Sequence, residues 1–321
     1  MLLSETVTFG GSGLNRAAEL RNDAAALARM LDDPTTRIMI LWRGKPLFAD
    51  AAQDRLLWLS QGHALLADAG DTRLFMGRDD AGAALFAADI SRWRPDVRED
   101  EQGLFDTSAQ THPLLGEGPR FADLRMSMAL LSPREAELAA MARGIVFWHQ
   151  SHRFCSQCGV QSDPTHGGWQ RICPSCGAHH FPRSDPVAIM LVTHGNSVLV
   201  GRAAQWPAGM FSLLAGYIEP GETIEGAVRR EVYEESGVRI GAVEYLASQP
   251  WPFPSSLMIG CKAEAISTEI SIDPNELEEA LWITREDMAA AFAGQHPRLT
   301  PARQGAIAQF LLRNWLADRL D

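Results

Sequence analysis

The chain has 321 residues, enough for two or three domains, and a composition ordinary for a globular protein, 46% hydrophobic and 21% charged. A formal net charge of −11 excludes a broad electrostatic hold on a nucleic-acid backbone, so any RNA must be gripped locally. The same charge repels an anionic substrate unless bound metal reverses the field inside the site.

Residues 1–13 lack the basic and apolar parts of a signal peptide, and no apolar run approaches a bilayer span, so no membrane association is expected. Four of the five cysteines fall into two close pairs and leave Cys261 alone, a pattern that suits a reducing cytoplasm better than a disulfide framework. Residues 1–131 alternate short apolar runs with turns, for example Arg37–Trp42 before Arg43-Gly44-Lys45, and 73–77 before 79–82 and 84–90. This alternation predicts a β-rich N-terminal α/β domain, followed by a connection over 103–118. Ser132-Pro133-Arg134-Glu135 then sets a capping hydroxyl, a first-turn proline and a glutamate at the third position. The helix it opens runs to about His152, with Leu138, Met141, Ile145 and Trp148 on one stripe, and leads into the cysteines.

Cys155-Ser156-Gln157-Cys158-Gly159 and Cys173-Pro174-Ser175-Cys176-Gly177 each bring two thiolates to one point, with a glycine to relieve the turn that follows. Four thiolates close a tetrahedral zinc shell and leave no position for water, so the zinc is expected to be structural. A redox pair is the weaker alternative. The nearby His149, His152, His166, His179 and His180 read as surface or packing residues rather than ligands. The helix and ribbon occupy 132–184 and a third domain 185–321.

In that last domain 187–192 and 197–201 form a hairpin around His194-Gly195-Asn196, and 211–215 is a third strand. A charged helix covers about 223–236 and ends at Gly237, strands follow near 243–248 and 257–266, and a final helix starts at Thr300-Pro301 and runs to about Ala317. The order predicts an α+β domain with a mixed sheet flanked by helices. No internal repeat is visible.

On the charged helix Glu231, Glu234 and Glu235 lie within an arc of roughly 100°. Carboxylates so crowded repel one another, and a hard divalent cation such as Mg²⁺, which prefers oxygen ligands, removes that cost. Arg230 is placed to hold them through Glu222 or Glu234. Alone, such a helix reads as a solvated face. Here it follows Gly216-Tyr217-Ile218-Glu219-Pro220-Gly221-Glu222 and ends in Glu234-Glu235-Ser236-Gly237-Val238, and the whole segment resembles the Nudix box at every fixed position. The resemblance implies an α/β/α Nudix sandwich with catalytic Mg²⁺ or Mn²⁺ on Glu231, Glu234, Glu235 and the carbonyl of Ala215. In it, Glu235 orients or deprotonates water.

Ser248-Gln249-Pro250-Trp251-Pro252-Phe253-Pro254-Ser255-Ser256, stiffened by three prolines between two aromatics, resembles the motif of the NADH pyrophosphatases of the NudC type. So do Trp148-His149, His152-Arg153-Phe154 and Phe181-Pro182-Arg183. That resemblance covers about Leu124 to Leu312. It implies hydrolysis of NADH or NAD⁺ to nicotinamide mononucleotide and AMP, removal of NAD caps from RNA in some members, and a homodimer. It assigns substrate contacts to Phe181, Tyr217, Gln249, Pro250, Trp251, Pro252, Phe253, Pro254, Ser255 and Ser256. Glu276 becomes a further metal carboxylate, Ala308 a backbone contact, and Arg125 a phosphate or partner-subunit contact. Gly168 departs from the pattern, standing where a relative of the family carries a substrate-contacting glutamate. Another nucleoside diphosphate substrate, such as ADP-ribose or a dinucleoside polyphosphate, stays open, as does a non-catalytic zinc-ribbon protein that binds RNA.

Overall fold

The computed structural model describes residues 2–95 and 108–320, and the chain divides into two compact units. The ribbon unit holds Phe9–Arg183 with Pro252–Ser255; the glutamate unit holds Met1–Thr8, Ser184–Trp251 and Ser256–Asp321. Among the described residues no helix is long and apolar enough to cross a membrane.

The ribbon unit begins with α1 (Ala24–Leu31), capped by Asp23 on the amide of Ala26. Strands β1 (Arg37–Trp42), β2 (Lys45–Phe48), β3 (Trp58–Leu59), β4 (Leu74–Arg78), β5 (Ala84–Asp89) and β6 (Arg120–Phe121) form one sheet in the order β4-β5-β1-β2-β6, with β3 also on β1. Its core gathers Ile38, Ile40, Trp42, Leu47, Phe75, Phe86 and Phe121. The expected connection over 103–118 lies partly outside the described residues; within them it bridges β6 through Gln110↔Phe121 and forms a short turn at Pro113–Leu115. A single turn, α2 (Leu124–Ser127), precedes α3 (Pro133–Ser151). Ser132 caps α3 as expected, its hydroxyl accepting from the amide of Glu135. Of the expected stripe Leu138, Ile145 and Trp148 are buried and Met141 half-buried, but Ala136, Ala139, Ala142 and Val146 are buried too, so the helix is covered on several sides. Alanines make this possible without a strong periodic signal. Strands β7 (Asp163–Thr165), β8 (Gln170–Ile172) and β9 (His179–His180) complete the cysteine ribbon.

The glutamate unit carries β10 (Asp185–His194), β11 (Ser197–Arg202), β12 (Leu214–Tyr217), α4 (Ile224–Ser236), β13 (Ile240–Trp251), β14 (Ser256–Ala265), β15 (Glu279–Thr284), α5 (Arg285–Phe292) and α6 (Ile307–Leu316). Its sheet runs β13-β14-β10-β11-β15, with β12 on β10; β10 and β14 are parallel and the other pairs antiparallel. Alternation along β10 serves both faces. Ala188, Met190 and Val192 join Val228 and Val232 of α4, while Ile189 and Leu191 join Met288, Leu311 and Trp315 of α5 and α6. The result is helix, mixed sheet, helix.

Four expectations change. The third strand lies at 214–217 rather than 211–215. The segment Ser248–Trp251 is the end of β13, paired with β14 through Trp251↔Ser256. Thr300-Pro301 does not open the last helix: the Thr300 amide and hydroxyl both donate to the Gly209 carbonyl, so the would-be cap is spent on a bridge to the 209–210 turn, and α6 starts at Ile307. Finally, the two sheets repeat one plan. Each has a central parallel pair (β1∥β5, β10∥β14) and a hairpin from its first strand (β1-β2, β10-β11). Each also has a short strand on that first strand, a strand antiparallel to the second parallel member, and a last strand on the hairpin. The repeat is structural, and the sequence does not show it.

Candidate active site and cysteine cluster

The Cys155 and Cys176 sulfurs lie 3.6 Å apart and those of Cys158 and Cys173 3.4 Å, with all four donors within 4.8 Å of one another. A tetrahedron with Zn–S bonds of 2.3 Å has edges of about 3.8 Å, so the quartet fits that ion. Gly159 (φ 75) and Gly177 (φ 73) close the two turns, their amides donating to the carbonyls of Cys155 and Cys173. The histidines are used otherwise. His149 Nε2 lies 2.8 Å from the Gly168 carbonyl, and burial pushes its pKa down to about 4, which keeps the ring neutral and makes Nε2 the donor. Gly168 is itself buried at φ +88, and a Cβ there would press on Leu74, so this position presents no side chain to a substrate.

The second cluster stands on α4. Thr223 caps it, its hydroxyl accepting from the Gly226 amide, and Gly237 ends it in the left-handed region (φ 71). Glu231 and Glu235 are buried, at 8% and 6% exposure, and their carboxylates with that of Glu276 bring three oxygens within 4.8 Å. Glu276 arrives from the turn before β15, fixed by its amide on the Asp273 carbonyl. Strand β12 passes beneath: a Cβ on Gly216 would collide with the Glu231 carboxylate. The carbonyl-bearing Ala215 is next to it and pairs with Ile189.

Arg230 orders the acids. Its guanidinium donates to Glu222 (2.8 Å), Glu231 (2.8 Å), Glu234 (3.0 Å) and the Tyr217 carbonyl (2.9 Å). This holds Glu222 down to about pKa 2. Glu234 is more exposed, faces Arg230, and does not join the three-carboxylate set. Among the described residues the Glu235 carboxylate has no hydrogen-bond or ion-pair partner; burial, then Glu231 and Glu276, push it up to about 8. Glu231 is raised by burial and relieved by Arg230. A buried carboxylate beside two others with no cation is the environment a hard divalent ion satisfies.

The proline-aromatic motif divides by role. Gln249 is fully buried and its amide is consumed inside the protein: Nε2 donates to the carbonyls of Thr8 (3.0 Å) and Gly305 (2.8 Å), and Oε1 accepts from the Ile307 amide (2.8 Å). It ties the start of α6 to β13 and cannot line a nucleoside pocket. Ala308 is the second residue of that helix, which lacks a side-chain cap, so its N–H is one of the first-turn donors the helix leaves over. Pro250 and Pro254 are exposed, Trp251, Phe253 and Ser256 half-buried, and Pro252 and Ser255 buried. Phe253 is held by Phe9 (6.2 Å between centroids), by Arg143 at 4.5 Å over the ring, and by Arg125 at 5.2 Å. Arg143 also donates to the Pro252 carbonyl. Arg125 is paired through both nitrogens with Asp123, so it braces Phe253 and is not a free phosphate ligand. Sequence reasoning missed Arg143 and Phe9, whose only signal is their distance in space. Phe181 and Tyr217 are exposed, at 66% and 58%.

Comparison with known proteins finds an NADH pyrophosphatase-like rudimentary NUDIX domain over residues 35–148, an NADH pyrophosphatase zinc ribbon domain over 150–181 and a NUDIX domain over 182–304. The first accounts for the repeated sheet plan. The chain is 48% identical over 197 residues to the NAD-capped RNA hydrolase NUDT12 of Homo sapiens, covering 58% of this chain and 43% of that protein. It is 42% identical over 203 residues to the NAD-capped RNA hydrolase NudC of Stutzerimonas stutzeri, covering 63% and 70%. With the NAD-capped RNA hydrolase NudC of Mycobacterium bovis it shares 32% over 319 residues, 95% of this chain and 93% of that one. It thus spans under half of the human protein and nearly all of the mycobacterial one.

Proposed function

This chain belongs to the NADH pyrophosphatase family of Nudix hydrolases, and we propose that it hydrolyses the pyrophosphate of NADH and NAD⁺ to nicotinamide mononucleotide and AMP, and removes NAD caps from RNA 5′ ends. The observation that carries the reading is the trio of buried Glu231 and Glu235 with exposed Glu276, gathered within 4.8 Å over Gly216. Mg²⁺ or Mn²⁺ would be held there by these carboxylates and the Ala215 carbonyl, with Glu234 reaching it only by leaving Arg230, and would supply neutralisation of the diphosphate and acidification of water. The chain's own residues do the rest. Glu235, its carboxylate beside Glu231 and Glu276, takes the proton of the attacking water. The P–O–P bond breaks, one phosphate gaining the water oxygen and the other leaving. Arg230 holds the Glu222 and Glu231 carboxylates in place. Phe181, Tyr217 and the exposed parts of Pro250–Ser256 offer rings and edges to the nucleosides, stacking being worth roughly 1–3 kcal/mol per base.

We also read the chain as a cytoplasmic homodimer with Zn²⁺ in the ribbon, organised as an N-terminal domain (1–131), helix and ribbon (132–184) and Nudix domain (185–321). Light scattering on purified protein tests the dimer. The activity is tested by incubating NADH with Mg²⁺ or Mn²⁺ and resolving products, with Glu235→Gln alongside. Reduced nicotinamide mononucleotide and AMP from wild type alone are expected; equal turnover by the variant would overturn the site.

A further inference from the structure

A cleft of about 710 Å³ lies wholly within the ribbon unit, lined by the turns after β1 and β5, the C-terminal half of α3, and the ribbon around β7 and β8. In a chain of net charge −11 it gathers five arginines, Arg43, Arg92, Arg94, Arg153 and Arg171. Three carboxylates also line it, Asp71, Asp89 and Asp163. Asp89 is already engaged, accepting from the Ser91 amide (3.0 Å), the Ser91 hydroxyl and the Gln150 side chain (2.8 Å).

Arg171 anchors the floor. It is 4% exposed, and its guanidinium forms no ion pair with any carboxylate among the described residues. Instead it donates to Ser162 Oγ (2.8 Å), His149 Nδ1 (3.0 Å) and the carbonyls of Arg153 and Ser162. The neutral His149 therefore orients Arg171 without adding or cancelling charge. Its hydrogen-bond acceptors are all neutral; Asp163 offsets part of its charge and Arg153 adds to it, and with five arginines against three carboxylates the cleft keeps an excess of positive charge that an anion would relieve. Arg43 and Arg94 add to it: burial and the Arg94 charge both lower the Arg43 pKa, so two like charges converge on the same space.

The planar donor forks of arginine match phosphate oxygens two at a time. The cleft volume lies within the ~300–1,000 Å³ of small-ligand pockets. We propose that this cleft is a second, non-catalytic site that binds the phosphate groups of nucleotides, either free or joined in a short single strand. The site is built entirely from residues of the ribbon unit, and it stands or falls independently of the glutamate chemistry.

The test is Arg92→Gln/Arg153→Gln in the full chain, both positions being exposed on the cleft rim. A fluorescein-labelled hexaribonucleotide and AMP are titrated into wild type and variant, with NADH turnover measured in parallel. Turnover is expected to stay unchanged while ligand affinity falls about tenfold. For the hexamer, the slope of log affinity against log salt should shrink by roughly 1.4, about 0.7 per phosphate contact on a single strand. Loss of hexamer affinity alone assigns the site to polynucleotide, and equal loss of AMP affinity assigns it to free nucleotide. Unchanged affinity for both, with an unchanged salt slope, overturns the proposal.

Discussion

Replacing Gln249 with leucine separates two readings of the proline-aromatic motif. The motif suggests a substrate contact, whereas the structure shows an amide spent on three internal hydrogen bonds of 2.8–3.0 Å at zero exposure. Each bond contributes about 0.5–1.5 kcal/mol net, and leucine keeps the volume while stranding two carbonyls and the first amide of α6. The expected loss is about 2–4 kcal/mol. With a urea slope near 3 kcal/mol/M, the unfolding midpoint should fall by roughly 1 M. KM for NADH, measured under conditions where the variant is folded, should change little. A variant with wild-type midpoint and a raised KM would refute the positioning role and return Gln249 to the substrate.

Three further outcomes follow from the two clusters. Gly216→Ala forces the Glu231 carboxylate, 1.9 Å from the new Cβ, to retreat by about 2 Å, given that carbon–carbon contacts settle near 3.5–4.0 Å. A displacement of that size should cut kcat about 100-fold or more, and steady-state turnover within a few-fold of wild type would contradict it. Cys155→Ser should release zinc and lower the thermal midpoint together, because ribbon folding and metal binding are coupled; a metal assay and a melt on one sample read both. In the metal-free protein Glu235, raised to about 8, contributes stability that is full below its ordinary pKa and lost as pH rises through 8. Added Mg²⁺ or Mn²⁺ should therefore raise the melting temperature more at pH 9 than at pH 6.5, and an equal or reversed increment would count against the carboxylate site.

Much of the catalytic cluster was legible because its signals are local. Thr223 as cap, Gly237 as stop and the Glu231/Glu235 spacing all act within one helix, and the same holds for the two cysteine turns and the Ser132 cap. Legibility ended where a residue's partner lies far along the chain. Thr300-Pro301 carries a proper helix-start signal, yet Gly209 claims the threonine, and tertiary demand outweighs a local preference of about 1 kcal/mol. Gln249 looked like a recognition residue because nothing nearby in sequence reveals Thr8 and Gly305. Strand β15 was missed because it is half-buried at a sheet edge and carries little alternation. Helix α5 was findable: Thr284 caps it by accepting from the Asp287 amide, a threonine-to-acid spacing visible in the sequence. The repeated sheet escaped because backbone pairing order is shared while side chains are not. The repeat has only the short turn Ala64–Asp68 where α4 stands in its counterpart and, among the described residues, no glutamate cluster.

The placement of Met1–Thr8 with the glutamate unit bears on how the protein is made. These residues leave the ribosome before 9–183, but their seat, the Gln249 amide, emerges some 240 residues later. Segment 1–8 must wait for that seat while the intervening residues are made, so the unit it joins is completed only after Gln249 has emerged. A fragment begun at Ser184 would leave one Gln249 donor without its carbonyl, and supplying residues 1–8 as a separate peptide should restore part of the stability lost.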